Sequence, residues 1–342
     1  MRLGVLDIGS NSAQLQIVDA VAGAPPLPLH AVKVPTRLGE DIARNGSISV
    51  AGTERAVSAV CTAVRAALEF EVDQLYPFVT SAIRDATNRD DVLDAVAAES
   101  GVRPQYLSGE QEAHLTYLAV RRWYGWQAGS ILDLDIGGGS MEVAFGRSAA
   151  PEVAVSLPLG AGRMTRTFLT DDPPARSDLK RLRQFVRDQI GGVADRLRWE
   201  GAPRRVVATS KTFKQLARLA GAPRRSLGPF IERSLDAGEL HIWVKRMARM
   251  PVTERAQLRG ISPGRASQIV AGAVVAEEAM RGFEIQRVEV SPWALREGIV
   301  LRHLAALDDG LDQLALQTIS PQTNRNSEVT RLSRAPRPEA LT

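Results

Sequence analysis

Two stretches of this chain share one design, and that repetition restricts the fold more than any other feature. Ile131 to Ile136 (ILDLDI) is an apolar run broken by Asp133 and Asp135; it stops at Gly137-Gly138-Gly139-Ser140 and resumes at Met141 to Phe145. An apolar run, a glycine break and a second apolar run predict a β-hairpin. Near the N-terminus Leu3 to Ile8 (LGVLDI) again carries an acid close to its end, Asp7, and passes through Gly9-Ser10-Asn11-Ser12 into a second strand, Leu15 to Val18. Asp7 and Asp135 lie about one domain length apart, which predicts two related domains whose turns face one another across a cleft.

Such a turn suits one kind of ligand. Successive glycine amides form a concavity fitted to phosphate oxygens, and the missing side chains let the anion come close. Asp135 would repel a phosphate unless a divalent cation lay between them, so acid and turn together argue for a magnesium-phosphate site. The alternative for either segment alone is a structural hairpin with a flexible turn.

Composition narrows the class. At 342 residues the chain is long enough for two cores, and no apolar run approaches the ~20 residues of a membrane span. The opening MRLGVLDIGS lacks the apolar stretch of a secretory signal, so a cytoplasmic location is expected. One cysteine, Cys61, set in an Ala/Val-rich helical pattern, excludes an internal disulfide framework and reads as a packing residue. None of the four histidines has metal-ligand spacing to another, so metal binding rests on carboxylates. From Arg176 to Arg265 there are 21 Lys/Arg against 8 Asp/Glu, whereas the remainder carries 22 against 31. That cationic stretch favours an extended polyanion, either nucleic acid or a phosphate polymer; a solvated arginine-rich surface is the competing reading.

Two further places carry chemistry. Leu75 to Ser81 reads as a strand whose end, Thr80-Ser81-Ala82-Ile83-Arg84, puts hydroxyls and an arginine where a strand meets a helix; Arg84 is either a phosphate ligand or the ion-pair partner of Asp85 or Glu99. Ser108-Gly109-Glu110-Gln111 has capping-box spacing and starts a helix through Leu118 with Glu112 in its first turn. Glu112 is either a base for an attacking water or an acid stabilised by the helix dipole. Amphipathic helices are predicted over Thr53 to Phe70, Ser177 to Trp199, Phe213 to Ala220, Leu240 to Met250 and Arg265 to Met280, and from about Asp308 the pattern dissolves.

Taken together, DIGSNS (Asp7 to Ser12), TSAIRDATN (Thr80 to Asn88), SGEQEA (Ser108 to Ala113), DIGGGSME (Asp135 to Glu142), LPLGAGR (Leu157 to Arg163) and ALREGI (Ala294 to Ile299) resemble the exopolyphosphatase and guanosine pentaphosphate phosphohydrolase family, over about nine tenths of the chain. The resemblance implies an α/β fold with two ribonuclease-H-like domains of the actin-like ATPase superfamily flanking a cleft. Expected boundaries are 1–125, 126–308 and a disordered tail, 309–342. It implies Glu112 as catalytic base and Arg84 as phosphate-contacting arginine. Asp7, Gly9, Ser10, Asn11 and Ser12, with Gly137, Gly138, Gly139 and Ser140, become the phosphate loops. Asp135 and Glu142 become ligands of Mg²⁺, with Mn²⁺ as a substitute. Inorganic polyphosphate is the expected substrate, guanosine penta- or tetraphosphate the rival; nucleic acid ranks behind both, no membrane partner is expected, and a homodimer follows from relatives.

Departures from the family pattern are Gln111 for its first glutamate, Met141 where threonine is usual, and TSKT at Thr209 to Thr212, which puts a nucleoside contact there in doubt. With its patterned part stopping near residue 310, short of the helical C-terminal domain of longer relatives, the chain is expected to prefer shorter polymers. A non-catalytic polyanion-binding protein and a kinase or ATPase on the same fold complete the alternatives.

Overall fold

The computed structural model describes residues 1–43, 45–309 and 316–321, and in it each predicted hairpin builds a mixed sheet. The chain divides into two units, one of Met1–Tyr106 with the described residues from Leu304 onward, the other of Leu107–His303.

In the first unit β1 (Arg2–Ile8) pairs antiparallel with β2 (Ser12–Asp19), which pairs with β3 (His30–Pro35). Helix α1 (Val50–Glu69) then crosses over, and β4 (Gln74–Val79) returns parallel to β1. The short α2 (Ser81–Arg84), α3 (Arg89–Ser100) and β5 (Gln105–Tyr106) complete it, in the order β3-β2-β1-β4-β5. Ser49 fixes the start of α1 by accepting from the Gly52 amide, a cap that contributes about 1 kcal/mol. Its buried residues Ala56, Ala59, Val60, Ala63 and Ala67 recur at helical spacing and pack on Leu6, Ile8, Leu15 and Ile17 of the sheet.

The second unit opens with α4 (Gly109–Tyr124) and continues with β6 (Ile131–Ile136), β7 (Met141–Gly146), β8 (Val153–Leu157), α5 (Ala161–Phe168), α6 (Arg176–Glu200), β9 (Arg205–Ala208) and α7 (Lys211–Leu219). It ends with β10 (Ser234–Asp236), α8 (Ala237–Met247), α9 (Val252–Arg255), α10 (Ile269–Gly282), β11 (Arg287–Val290) and α11 (Leu295–Asp309), the helix in which the division between the units falls. The sheet order is β10-β11-β9-β6-β7-β8. Leaving aside edge strand β10, β8-β7-β6-β9-β11 repeats β3-β2-β1-β4-β5, with β6 and β9 parallel as β1 and β4 are. The duplication expected from the two acid-tipped turns is therefore a duplication of topology, and the α/β chain has two domains of the ribonuclease-H-like, actin-like ATPase kind.

Three differences from the sequence expectation have physical causes. The division falls at Tyr106/Leu107 rather than after residue 125, because α4 buries Ala113, Tyr117 and Val120 against Ile131, Ala144 and Val207 of the second sheet. Within the expected tail, Ile319 forms a bridge with Leu75 and Gln317 donates its amide to Gln105, so residues 316–321 add to the first unit; the rest of that tail, 310–315 and 322–342, lies outside the described residues. The arginine-rich α6 is also not wholly a solvated face. Arg183 and Arg187 bond the buried Glu277 and Glu278 of α10, at 2.8 Å for Arg183 to Glu277 and 2.8 Å for Arg187 to Glu278.

Candidate active site

The glycine turn of the second unit is closed by the Gly137 amide donating to the Ser140 carbonyl at 2.9 Å. Its carbonyls are held from below by the start of α5. The Ala161 amide donates to Gly137 O and the Arg163 amide to Gly138 O, both at 3.0 Å. With those carbonyls turned toward α5, the Gly138 and Gly139 amides find no acceptor among the described residues. Two adjacent donors without acceptors are the minimal anion cradle. Gly160 makes this closeness attainable: a Cβ there would stand 2.3 Å from Gly139 N and C, inside backbone that has no room to yield.

Beside the turn, Asp135 on β6 lies directly opposite Glu142 on β7, and Glu142 opposite Ser156 on β8. Cross-strand partners share a face, so these three side chains form a row on one side of the sheet. One oxygen of each carboxylate is held by a hydroxyl: Thr209 Oγ1 donates to Asp135 Oδ2 at 2.6 Å and Ser156 Oγ to Glu142 Oε1 at 2.8 Å. Burial raises the Asp135 pKa above the usual carboxylate range, while the Thr209 hydroxyl and the positive charges of Lys214 and Arg265 oppose that rise. The same cations pay for their proximity in dehydration. Burial, reinforced by Arg225, lowers Lys214 to about 8, and burial lowers Arg265 to about 10 despite the pull of Asp135. Two residues earlier on the same strand, Asp133 is buried with Oδ1 lacking a hydrogen bond, and burial together with the Asp135 charge drives it well above the ordinary range.

Helix α4 covers this face. Asp133 is in register with Ala144 and Val207, the residues on which α4 packs, and strand alternation puts Asp135 and Glu142 further along the same side. The first turn of α4 sits at the Ser156 end, since a Cβ on Gly109 would stand 2.2 Å from Ser156 Cβ. The predicted capping box forms in full, with Ser108 and Gln111 exchanging side-chain and backbone bonds. Glu112, one residue beyond Gln111, is only 7% exposed, and Glu142 6%. Glu112 is thus a buried acid in the first turn of the helix that covers the face bearing Asp135 and Glu142.

The first unit repeats the turn without the second acid. Gly9 N donates to Ser12 O at 3.1 Å, and the carbonyls of Ser10 and Asn11 accept from the amides of Gly39 and Thr36, at 2.9 and 3.1 Å. Asp7 occupies the place of Asp135, but Gln14 stands opposite it where Glu142 stands in the second hairpin. Thr80 is tied to this turn through its amide to Ile8 O at 3.3 Å, and α2 starts after it. Arg84, 13% exposed, bonds Asp85 Oδ1 through Nε at 3.0 Å, which is one of its expected ion pairs.

Of the predicted residues, Asp7 and Gly9 to Ser12 lie at the first turn, with Arg84 in the short helix after Thr80, while Asp135, Gly137 to Ser140 and Glu142 lie at the second, with Glu112 in the first turn of the helix that covers it. Lys214, Arg265, Thr209 and Ser156 were not anticipated as site residues. Only Thr209 had a sequence signal, the unusual TSKT. That departure acts structurally: Thr209 holds Asp135, Ser210 caps α7 through the Phe213 amide, and Thr212 donates to Ile136 O at 2.8 Å. Met141 points away from the site into the core with Leu134 and Ile136.

Among the described residues no group of three or more His, Cys, Asp or Glu side chains could by itself enclose a metal ion. The two opposed carboxylates fit Mg²⁺ on donor chemistry, since it takes hard oxygens and commonly uses one or two carboxylates with phosphate oxygens and water completing its shell. No helix among the described residues is long and apolar enough to cross a membrane.

A model of the Ppx/GppA phosphatase family matches residues 16–307. "Exopolyphosphatase 1" of Mycobacterium tuberculosis is 48% identical over 310 residues, covering 91% of this chain and 90% of that protein. "Exopolyphosphatase 1" of Mycobacterium leprae is 46% identical over 331 residues, covering 97% of each. Among solved structures, the Aquifex aeolicus PPX-GPPA enzyme superimposes with a TM-score of 0.72 at 28% identity, over 88% of this chain and 99% of its own. An exopolyphosphatase from Cytophaga hutchinsonii shares the fold with a TM-score of 0.81 at 23% identity, over 91% and 99%.

Proposed function

This chain belongs to the Ppx/GppA phosphatase family, and on that premise we propose that it is an exopolyphosphatase, releasing orthophosphate from the end of inorganic polyphosphate. The observation that carries the reading is the opposed pair Asp135 and Glu142 beside a glycine turn with two unused amides, beneath the helix that bears Glu112.

In the reaction, a water oxygen forms a bond to the terminal phosphorus as the bridging P–O bond breaks, in line, and the water proton passes to the Glu112 carboxylate. The Gly138 and Gly139 amides donate to equatorial oxygens of the transferring phosphoryl group, where charge is spread in the transition state. Asp135 and Glu142 would hold Mg²⁺, and the ion would supply charge neutralisation to the phosphate there. Thr209 and Ser156 orient those carboxylates, and Lys214 and Arg265 add positive potential toward the anion. The Gly9 to Ser12 turn and Arg84 of the first unit form, by themselves, a phosphate-binding set of the same chemical kind. We place this activity in the cytoplasm, where a soluble phosphate polymer would be met.

The rival substrate, guanosine pentaphosphate, would need a base and sugar contact. The Thr209, Ser210 and Thr212 hydroxyls are already engaged by Asp135, the α7 cap and Ile136 O, which favours the inorganic polymer. Phosphate release measured side by side on polyphosphate and guanosine pentaphosphate, with and without Mg²⁺, tests the assignment. Mg²⁺-dependent release with polyphosphate preferred is expected. Preference for the nucleotide would transfer the assignment to it, and binding without release would make the protein a non-catalytic polyanion binder.

A further inference from the structure

A cavity of about 500 Å³ in the second unit lies away from the hairpin, walled by α7, the 222–233 segment and the 259–260 turn. Lys214, Arg218, Arg224, Arg225, Arg233 and Arg259 line it, and among the described residues no acidic or aromatic side chain does. Two of these arginines serve the fold. Arg218 donates to the Ala222 carbonyl at 2.6 Å, and Arg233 donates to the carbonyls of Pro223, Arg224, Gly228 and Ile231, which fixes the bend that carries Arg224 and Arg225.

The side chains of Lys214, Arg224, Arg225 and Arg259 have neither an ion pair nor a hydrogen bond among the described residues. Elsewhere in this unit Arg183, Arg187 and Arg205 are each paired with a glutamate, so an arginine-rich composition alone does not account for the cavity. Its cations repel one another: Arg225 lowers the pKa of Lys214 and Arg233, and Arg259 and Arg224 lower that of Arg218, each after burial as the first cause. Glu297 and Asp135 offset the Lys214 charge in part, but Arg224, Arg225 and Arg259 remain like charges around a concave space, which disfavours the empty protein, and a bound anion offsets that repulsion.

The ligand is narrowed by charge, shape and position. Several separated cations suit an anion with several linked phosphates better than one orthophosphate, and the absence of an aromatic wall removes a stacking platform for a nucleobase. Lys214 belongs both to this wall and to the field acting on Asp135. We propose that the cavity is a subsite for inorganic oligophosphate, holding phosphate units behind the one cleaved at the second hairpin. This assignment rests on the exopolyphosphatase reading for its link to catalysis, while the binding itself is independent of turnover.

The test is equilibrium binding of long polyphosphate, tripolyphosphate, pyrophosphate and orthophosphate to the full chain in EDTA, by calorimetry across a salt series. Wild type is compared with the Arg224→Ala/Arg225→Ala/Arg259→Ala variant. The variant should bind long polyphosphate roughly 10- to 100-fold more weakly, with the loss for pyrophosphate at least about tenfold smaller. Its slope of log affinity on log salt should fall by about 2, as for three lost phosphate contacts. Equal affinities and slopes for the two proteins, or one uniform loss for every anion, would overturn the subsite. Should the triple variant not fold, Arg224→Gln and Arg259→Gln singly must each weaken long polyphosphate selectively. Guanosine triphosphate binding more tightly than tripolyphosphate would overturn the inorganic assignment. Wild type that shows the binding pattern yet releases no phosphate with Mg²⁺ would keep the subsite and remove the hydrolase reading; release with no selective loss would do the reverse.

Discussion

Replacing Gly160 by alanine would place a methyl group inside the backbone of the glycine turn. The Gly160 backbone, at φ −68 and ψ 144, suits any residue, so the effect is steric and not conformational. The new Cβ would stand 2.3 Å from Gly139 N and C and 2.4 Å from its Cα. Ordinary carbon contacts begin near 3.5 Å, so the turn and the start of α5 must separate by about 1 Å. Overpacking of this kind costs about 1–3 kcal/mol, which at 2–4 °C per kcal/mol lowers the melting temperature of the second unit by roughly 2–12 °C. A displacement of about 1 Å in the phosphate cradle should also reduce kcat/KM on polyphosphate roughly 10²-fold. Gly162→Ala is the milder comparison: its Cβ would meet Gly138 O at 3.1 Å and the side chains of Arg166 and Gln268 at 3.4 Å, all farther than the 2.3 Å contacts of Gly160, and alanine favours the helix. Steady-state phosphate release and calorimetric melting read both effects. Native turnover and melting in Gly160→Ala would refute the claim that this contact shapes the turn.

Two further perturbations probe the charges around Asp135. Thr209→Val removes the hydroxyl that favours ionised Asp135, so the acidic limb of the pH dependence of kcat/KM should move to higher pH; an unmoved limb contradicts that role. Lys214 is protonated below about 8, and as pH rises through that value its positive charge is lost and anion binding weakens. The KM for polyphosphate should therefore climb above pH 8, by up to about tenfold per unit. Lys214→Arg keeps the charge and should flatten the climb, whereas parallel profiles for both proteins would exclude Lys214 from the field.

Much of this site is visible in the sequence because its signals are local. A strand ending beside an acid, a glycine turn and a returning strand are contiguous, and both hairpins form with the turns where the glycines lie. The Ser108-to-Gln111 spacing likewise fixes the start of α4, since a capping box involves only four neighbouring residues. It carries no information about which sheet the helix covers, and α4 joins the second sheet although it follows directly on the strands of the first. Lys214 and Arg265 are illegible for the same reason: their importance lies in reaching Asp135, far away along the chain. Helix α5 reads as a glycine turn because Gly160 and Gly162 serve packing against Gly138 and Gly139. In α11 the apolar residues do not collect on one face, so periodicity gives no helix signal. The cationic count from Arg176 to Arg265 detects excess charge but not its division. Arg183 and Arg187 are neutralised by buried glutamates, and Arg224, Arg225 and Arg259 are left around a cavity.

The base assignment can be tested with one isosteric change. In Glu112→Gln, phosphate release from polyphosphate with Mg²⁺ is measured together with equilibrium binding of the same polymer in EDTA. Turnover should fall about 10²- to 10⁴-fold while affinity stays within about twofold of wild type. Near-native turnover in that variant would contradict the placement of the water-activating carboxylate on α4.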